Sequence, residues 1–213
     1  MAVTPYNKEE SKKKQVTEMF DNIAPTYDRL NRIMTAGIDI TWRRKAIDML
    51  KKYNPKIVAD IATGTGDFAI EALRLNPEKV IGIDIDKRFI NFMDSVRVRL
   101  DDRYRNRFET RLAKADDPLL KPEEVDAAVM VNTYGYIEHR VQYLKTLWKG
   151  ISPGGEVLII DFKKNNLPVG PPDEYKVAIG QVQRELLEAG FSIDKIDQAA
   201  LDYQYIVLAQ KPL

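Results

Sequence analysis

The chain has 213 residues, 44% of them hydrophobic, and a net charge of +1. That supplies one sizeable core, and the near-neutral balance gives no reason to expect nucleic acid as the main partner. With no cysteine and a single histidine, disulfides, thiolate catalysis and thiolate or histidine-rich metal sites are excluded, and no metal is expected.

The N-terminal stretch carries Lys12, Lys13 and Lys14 but no apolar signal core, and no run in the chain is long enough to span a bilayer. A cytoplasmic protein is expected. The lysines are by default a solvated helix end; their alternative role is contact with anionic lipid heads at a membrane surface. Residues 8–20, 22–35 and 39–52 read as three short helices, broken near Pro25 and Gly37, with apolar residues at helical spacing. The expected division is an N-terminal helical lid, 1–52, and a sheet domain, 53–213.

Alternation follows: strand 56–61, helix 67–75, strand 79–84, helix 87–100, strand 107–112, strand 125–131, helix 137–149, strand 155–161, helix 177–189, strand 191–197 and strand 202–210. Repeated βα units predict an α/β fold with a parallel sheet covered on both faces. The last two strands have no helix between them and suit a hairpin, with the final strand antiparallel. Ser152-Pro-Gly-Gly155 reads as a turn before the fifth strand.

The densest chemistry lies at Val58-Ala-Asp-Ile-Ala-Thr-Gly-Thr-Gly-Asp-Phe68. An apolar strand ends in Asp60, and Gly64-x-Gly66 forms a tight turn into a helix. The next strand, Val80-Ile-Gly-Ile-Asp84, ends in a second carboxylate, 18 residues after Gly66. This pattern opens a βαβ unit that holds a nucleoside-containing cofactor, with Asp84 placed to accept both ribose hydroxyls. Gly64 to Ala69 also satisfies the loose dinucleotide pattern. A pyrophosphate at the helix N-terminus would, however, meet Asp60 and Asp67. A sulfonium and an ammonium, as in S-adenosylmethionine (SAM), suit those charges.

Asp60-x-x-x-Gly64-x-Gly66 and Val80–Asp84 resemble the first two motifs of the class I SAM-dependent methyltransferases. Met19-Phe-Asp-Asn-Ile-Ala-Pro-x-Tyr27-Asp28-x-x-Asn31 and Gly37-Ile-Asp39-x-x-Trp42-Arg-Arg-Lys-Ala46 are similar to the menaquinone/ubiquinone C-methyltransferase family. Beyond residue 86, Asn132-Thr-Tyr134 and Asp161-Phe-Lys-Lys164 look more like another lineage of small SAM methyltransferases, and the long insert after the fifth strand is nearly absent. The resemblance implies a Rossmann-like sheet in order 3-2-1-4-5-7-6, with ligands at the carboxyl ends of the strands.

Residue type, position and, for Tyr27, Asp116 or Asp117 and Asn132, the resemblance suggest roles for individual residues. Tyr27 lies in the lid motif and is expected over the cofactor, with a plain amphipathic-helix residue as the alternative. Thr65 faces the methionine carboxylate, with a plain turn residue as the alternative. Asp116 or Asp117 is a candidate for the adenine amine, or else a turn cap before Pro118. Asn132 is placed beside the methyl donor. Arg43 and Arg44 are by default surface arginines, alternatively holders of a substrate oxyanion. Lys163, with Asp161 at the end of the fifth strand, is placed on the substrate side, with mere snorkelling as the alternative. Candidates for a general base are His139, Tyr134, Tyr136 and Asp161, and a bound water would also suffice.

Three functions stay open on these residues. One is carbon methylation of a demethylmenaquinol-like ring at a membrane surface. The second is methylation of another small molecule. The third is a non-catalytic SAM-fold binding protein.

Overall fold

A computed structural model describes residues 38–213. The expected lid helices before residue 38, and Tyr27 with them, lie outside the described residues. The compact unit that carries the sheet spans Arg43–Leu213.

Helix α1 (Ile38–Leu50) buries Ala46, Ile47 and Leu50, continues as a 3-10 turn, Lys51–Tyr53, and stops at Asn54 in the left-handed region. Asparagine tolerates that conformation and so ends helices. Strand β1 (Ile57–Ile61) leads to α2 (Asp67–Ala72), and β2 (Lys79–Asp84) leads to α3 (Lys87–Arg97). Asp86 caps α3 by accepting the Arg88 N–H. The expected helix 87–100 stops at Arg97. Asp101 then caps a short separate helix, α4 (Asp102–Arg105), that periodicity alone does not separate.

Strands β3 (Phe108–Leu112), β4 (Val125–Val131) and β5 (Ile151–Phe162) follow, with α5 (Arg140–Gly150) between the last two. Helix α6 (Ile179–Glu188) and the hairpin β6 (Ser192–Asp197) and β7 (Gln204–Gln210) complete the chain. The sheet order is β3-β2-β1-β4-β5-β7-β6, as expected from the sequence. All pairings are parallel except those of β7 with β5 and β6. The central parallel strands are covered on both faces, which is why they read as unbroken apolar runs. One core cluster joins Ile61, Ile83, Met130, Ile159 and Val207 of the sheet to Leu144 and Leu147 of α5 and Val182 and Leu186 of α6.

Strand β5 begins at Ile151, before the expected 155. Ile151 pairs with Val125 and Glu156 pairs with Ala127, so Ser152–Gly155 is an outward bulge inside the strand. Gly154 takes φ +77 there, open to glycine without strain.

That bulge delivers Glu156 into the interior, only 1% exposed. Its Oε1 accepts from Gln210 Nε2 at 2.7 Å, while Oε2 has no partner among the described residues. Burial, with the Asp194 charge, pushes its carboxyl from 4.5 to about 7. The folded chain therefore holds this proton more tightly than the unfolded chain. The associated stability is complete below about pH 4.5 and lost as pH rises through about 7. Glu156→Gln, neutral at every pH, is expected to exceed the parent by about 1–2 kcal/mol at pH 8 and to show no such gain at pH 5. Melting curves from pH 5 to 9 check this. A difference that does not grow with pH would mean that Glu156 does not titrate in that range.

Candidate cofactor site

The site is built where β1 and β4 diverge, at the carboxyl end of the sheet. After Ile61 the chain turns sharply. Ala62 sits at φ +54, Gly64 at +58 and Gly66 at +83. The left-handed Ala62 is a conformation that L-residues adopt only under constraint. The constraint is visible: Thr63 N–H donates to the Ile83 carbonyl at 3.0 Å, and Gly66 N–H to the Thr63 carbonyl at 3.1 Å.

The two glycines serve different ends. A Cβ on Gly64 would meet no atom of the described residues within 4 Å, so among these the turn leaves room where a ligand can approach the backbone. A Cβ on Gly66 would stand 3.0 Å from Met93 Cγ, so that glycine lets α3 pack beneath the turn. Gly82, in the middle of β2, makes the same allowance, because a Cβ there would reach Met93 Sδ at 2.9 Å.

Asp84 ends β2 buried, 6% exposed. Its Oδ2 accepts the Gly64 N–H and its Oδ1 the Asp86 N–H, each at 2.9 Å. Burial raises its carboxyl above the usual range, and these backbone donors oppose the shift. Asp60 is buried too. The Thr63 hydroxyl donates to it, yet burial, reinforced by the Asp84 charge, holds its carboxyl up at about 7. Asp67 contributes less charge than the sequence suggests, because Arg43 pairs with it at 3.0 Å. Arg43 and Arg44 are thus engaged with α2, Arg44 through Glu71 at 3.2 Å.

Thr65 is half-buried between the glycines. Ile85, directly after Asp84, is 55% exposed, and Leu112 at the end of β3 is 44% exposed. Two uncovered apolar side chains beside a buried carboxylate suit the flat face of a base. Sequence reasoning missed them, although an isoleucine beyond the strand's last acid was a readable signal. Asp116 is exposed. Asp117 caps its own turn by accepting the Leu119 N–H at 2.7 Å, the alternative role foreseen for it. Asn132 stands directly after β4 at φ +54, and its side-chain oxygen accepts from Gln204.

The base candidates separate on geometry. Tyr134 is fully buried, and its hydroxyl donates to Glu185 Oε2 at 2.6 Å. Burial and that carboxylate raise its pKa far above the usual tyrosine value, so it is tied up in structure. The same Glu185 accepts a two-pronged pair from Arg140, at 2.8 and 2.9 Å, and Gln181 at 2.9 Å. Asp161 is 3% exposed and accepts the Phe162 N–H at 2.7 Å and the Gly135 N–H at 3.3 Å. Burial lifts its carboxyl to about 6. It pins the loop after β4 to the end of β5. Tyr136 stacks on Tyr175 with ring centroids 5.0 Å apart. His139 is exposed at the N-terminus of α5. Lys163 Nζ donates to the carbonyls of Leu201 and Asp202, both at 2.8 Å. No group of three metal-ligating side chains occurs among the described residues, and no described helix is long and apolar enough to cross a membrane.

The ubiE/COQ5 methyltransferase family model matches residues 8–187. The demethylmenaquinone methyltransferase of Bacteroides fragilis is 52% identical over 90 residues, 42% of this chain and 37% of that protein. The ubiquinone/menaquinone biosynthesis C-methyltransferase UbiE of Geotalea daltonii is 33% identical over 153 residues, 71% of this chain and 64% of that one. The matched stretches thus span from about a third to just under two thirds of these relatives. Among solved structures, a SAM-dependent methyltransferase from Aquifex aeolicus shares the fold, with a TM-score of 0.67 at 23% identity over 73% of this chain and 82% of that one. The family match runs unbroken past residue 86, and nothing in it divides the chain between two lineages. The chain belongs to the ubiE/COQ5 methyltransferase family, and with it to the SAM-dependent methyltransferases of Rossmann-like fold.

Proposed function

We propose that the chain methylates a ring carbon of a demethylmenaquinol-like molecule, using SAM. The observation that carries the cofactor is the Gly64 turn, open above its backbone among the described residues and flanked by the buried carboxylates of Asp60 and Asp84. The ring is supported by the names of the Bacteroides and Geotalea relatives. Bound SAM supplies an activated methyl group on a sulfonium. The chain's own part is to bind, orient and exclude water.

Asp84 offers two oxygens to the ribose hydroxyls, and Ile85 and Leu112 offer apolar surface to the base. Asp60, poised between its charged and neutral forms, becomes fully ionised beside a cation. Thr65 and Asn132 complete the cradle. On the acceptor side, the loops after β4 and β5 are stiff. Tyr134 and Asp161 lock the first loop, and the Tyr136–Tyr175 stack joins it to the second. A rigid wall keeps a flat ring in one orientation, and orientation supplies much of the barrier reduction in a bimolecular transfer, on the order of 7–11 kcal/mol. With Tyr134 and Asp161 engaged, the phenolic proton is left to His139, Tyr136 or water.

Transfer of labelled methyl from SAM to demethylmenaquinol in detergent tests the reading, alongside calorimetry with SAM. Labelled menaquinol is the expected product. Clear SAM binding without product above background would discard the quinol in favour of another small acceptor. Absence of SAM binding would remove the cofactor assignment itself.

A further inference from the structure

We infer that Gln204 is a positioning residue that orients the Asn132 side chain, so that Asn132 presents a hydrogen-bond donor to an oxygen of the bound cofactor. The inference rests on the SAM-binding reading above.

Asn132 is the first residue beyond β4, at the edge that carries Asp60 and Gly64. Its main chain is fixed twice. It adopts the left-handed conformation, and its N–H donates to the Ile160 carbonyl at 2.8 Å. Only the side-chain amide is left to be set. An unrestrained asparagine amide presents either its oxygen or its nitrogen, because the two ends have the same shape. In this structure the choice is made by the contact with Gln204. Its Nε2 donates to Asn132 Oδ1, across 72 residues of sequence.

The topology makes this contact possible. Strand β7 is antiparallel, so it begins at the carboxyl end of the sheet. Gln204, its first residue, pairs with Phe162 at the end of β5, the strand between β7 and β4. Gln204 is 9% exposed, unusual for a glutamine at a strand end, whereas Asn132 keeps partial access to solvent. With one bond already made to Oδ1, the Asn132 side-chain atom without a partner among the described residues is Nδ2, a donor only. The site then favours an acceptor such as a carboxylate or hydroxyl oxygen and disfavours an ammonium.

The test is a double-mutant cycle read in two ways. Gln204→Met keeps the length and removes the donor; Asn132→Ala removes the group to be oriented. In the ligand-free chain, the side-chain amide resonances of Asn132 are expected to shift in Gln204→Met. Calorimetry with S-adenosylhomocysteine is expected to show about tenfold weaker binding for Gln204→Met in the parent background. In the Asn132→Ala background the same change is expected to cost nothing, because Gln204 acts through Asn132. An unmoved Asn132 amide would overturn the inference. An equal loss in both backgrounds would do so too, since it would mean that Gln204 acts on its own. A parent chain that binds no S-adenosylhomocysteine would instead overturn the cofactor reading, and with it the donor proposed for Asn132.

Discussion

Gly135→Ala is expected to destabilise the chain by about 3 kcal/mol, the upper end of the usual cost of overpacking. A Cβ on Gly135 would lie 1.7 Å from the carbonyl oxygen of Tyr175 and 2.8 Å from its carbonyl carbon. Both obstacles are main chain, so no side-chain rotation relieves them. Tyr175 cannot withdraw alone either, because it sits in a 3-10 turn, Asp173–Tyr175, and its ring stacks on Tyr136. On the other side, the Gly135 N–H holds Asp161 and the neighbouring Tyr134 is anchored to Glu185. Displacing either loop breaks bonds to buried groups. Gly180→Ala is the control. It lies in the first turn of α6, where a Cβ would meet, among the described residues, only Arg184 Nη1 at 3.8 Å. That change is expected to stabilise by a few tenths of a kcal/mol, below the roughly 0.5–1 kcal/mol of a helix interior, through helix propensity. Urea unfolding of the two variants should move the midpoint in opposite directions. A Gly135→Ala midpoint equal to the parent would mean that the loops after β4 and β5 do not pack as described.

The contrast between these two glycines shows what a sequence can and cannot carry. Strands β1, β2, β4 and β5 were legible because burial on both faces leaves an apolar run. Asp60, Gly64, Gly66 and Asp84 were legible because a short local segment holds the whole turn. Tyr134 was not. Its Tyr-Gly-Tyr setting resembles a solvent-facing aromatic loop, and the partner that buries it, Glu185, lies 51 residues away on α6. A carboxylate on the same helix as the buried Val182 and Leu186 is a hint of such a partner, but periodicity does not say which group it meets. The same limit hid Gln204 from Asn132 and Arg43 from Asp67. Each pairing is made by the fold, between residues whose local sequence gives each a sufficient role alone.

Asp84→Ala is expected to weaken binding of SAM and of S-adenosylhomocysteine by roughly ten- to a hundredfold, about 1.5–3 kcal/mol for a hydrogen bond to a charged group. The geometry adds a second cost. Asp84 already accepts the N–H groups of Gly64 and Asp86, so alanine leaves two donors unpaired beside the turn. The ligand-free variant is therefore expected to melt lower as well. Asp84→Asn separates the two effects, because its amide oxygen retains one of these bonds while the charge is lost. Its melting temperature should lie nearer the parent and its affinity between parent and alanine. The pH response has a definite sign. Burial raises the Asp84 carboxyl, so acidification protonates it earlier than an ordinary aspartate, and a protonated carboxyl accepts two ribose hydroxyls poorly. Affinity for S-adenosylhomocysteine should fall as pH is lowered in the parent, with a weaker fall in Asp84→Asn. The neutral thioether of this ligand reduces the contribution from Asp60, whose carboxyl also titrates near neutrality. A folded Asp84→Asn chain that binds S-adenosylhomocysteine as tightly as the parent at every pH would remove Asp84 from the site.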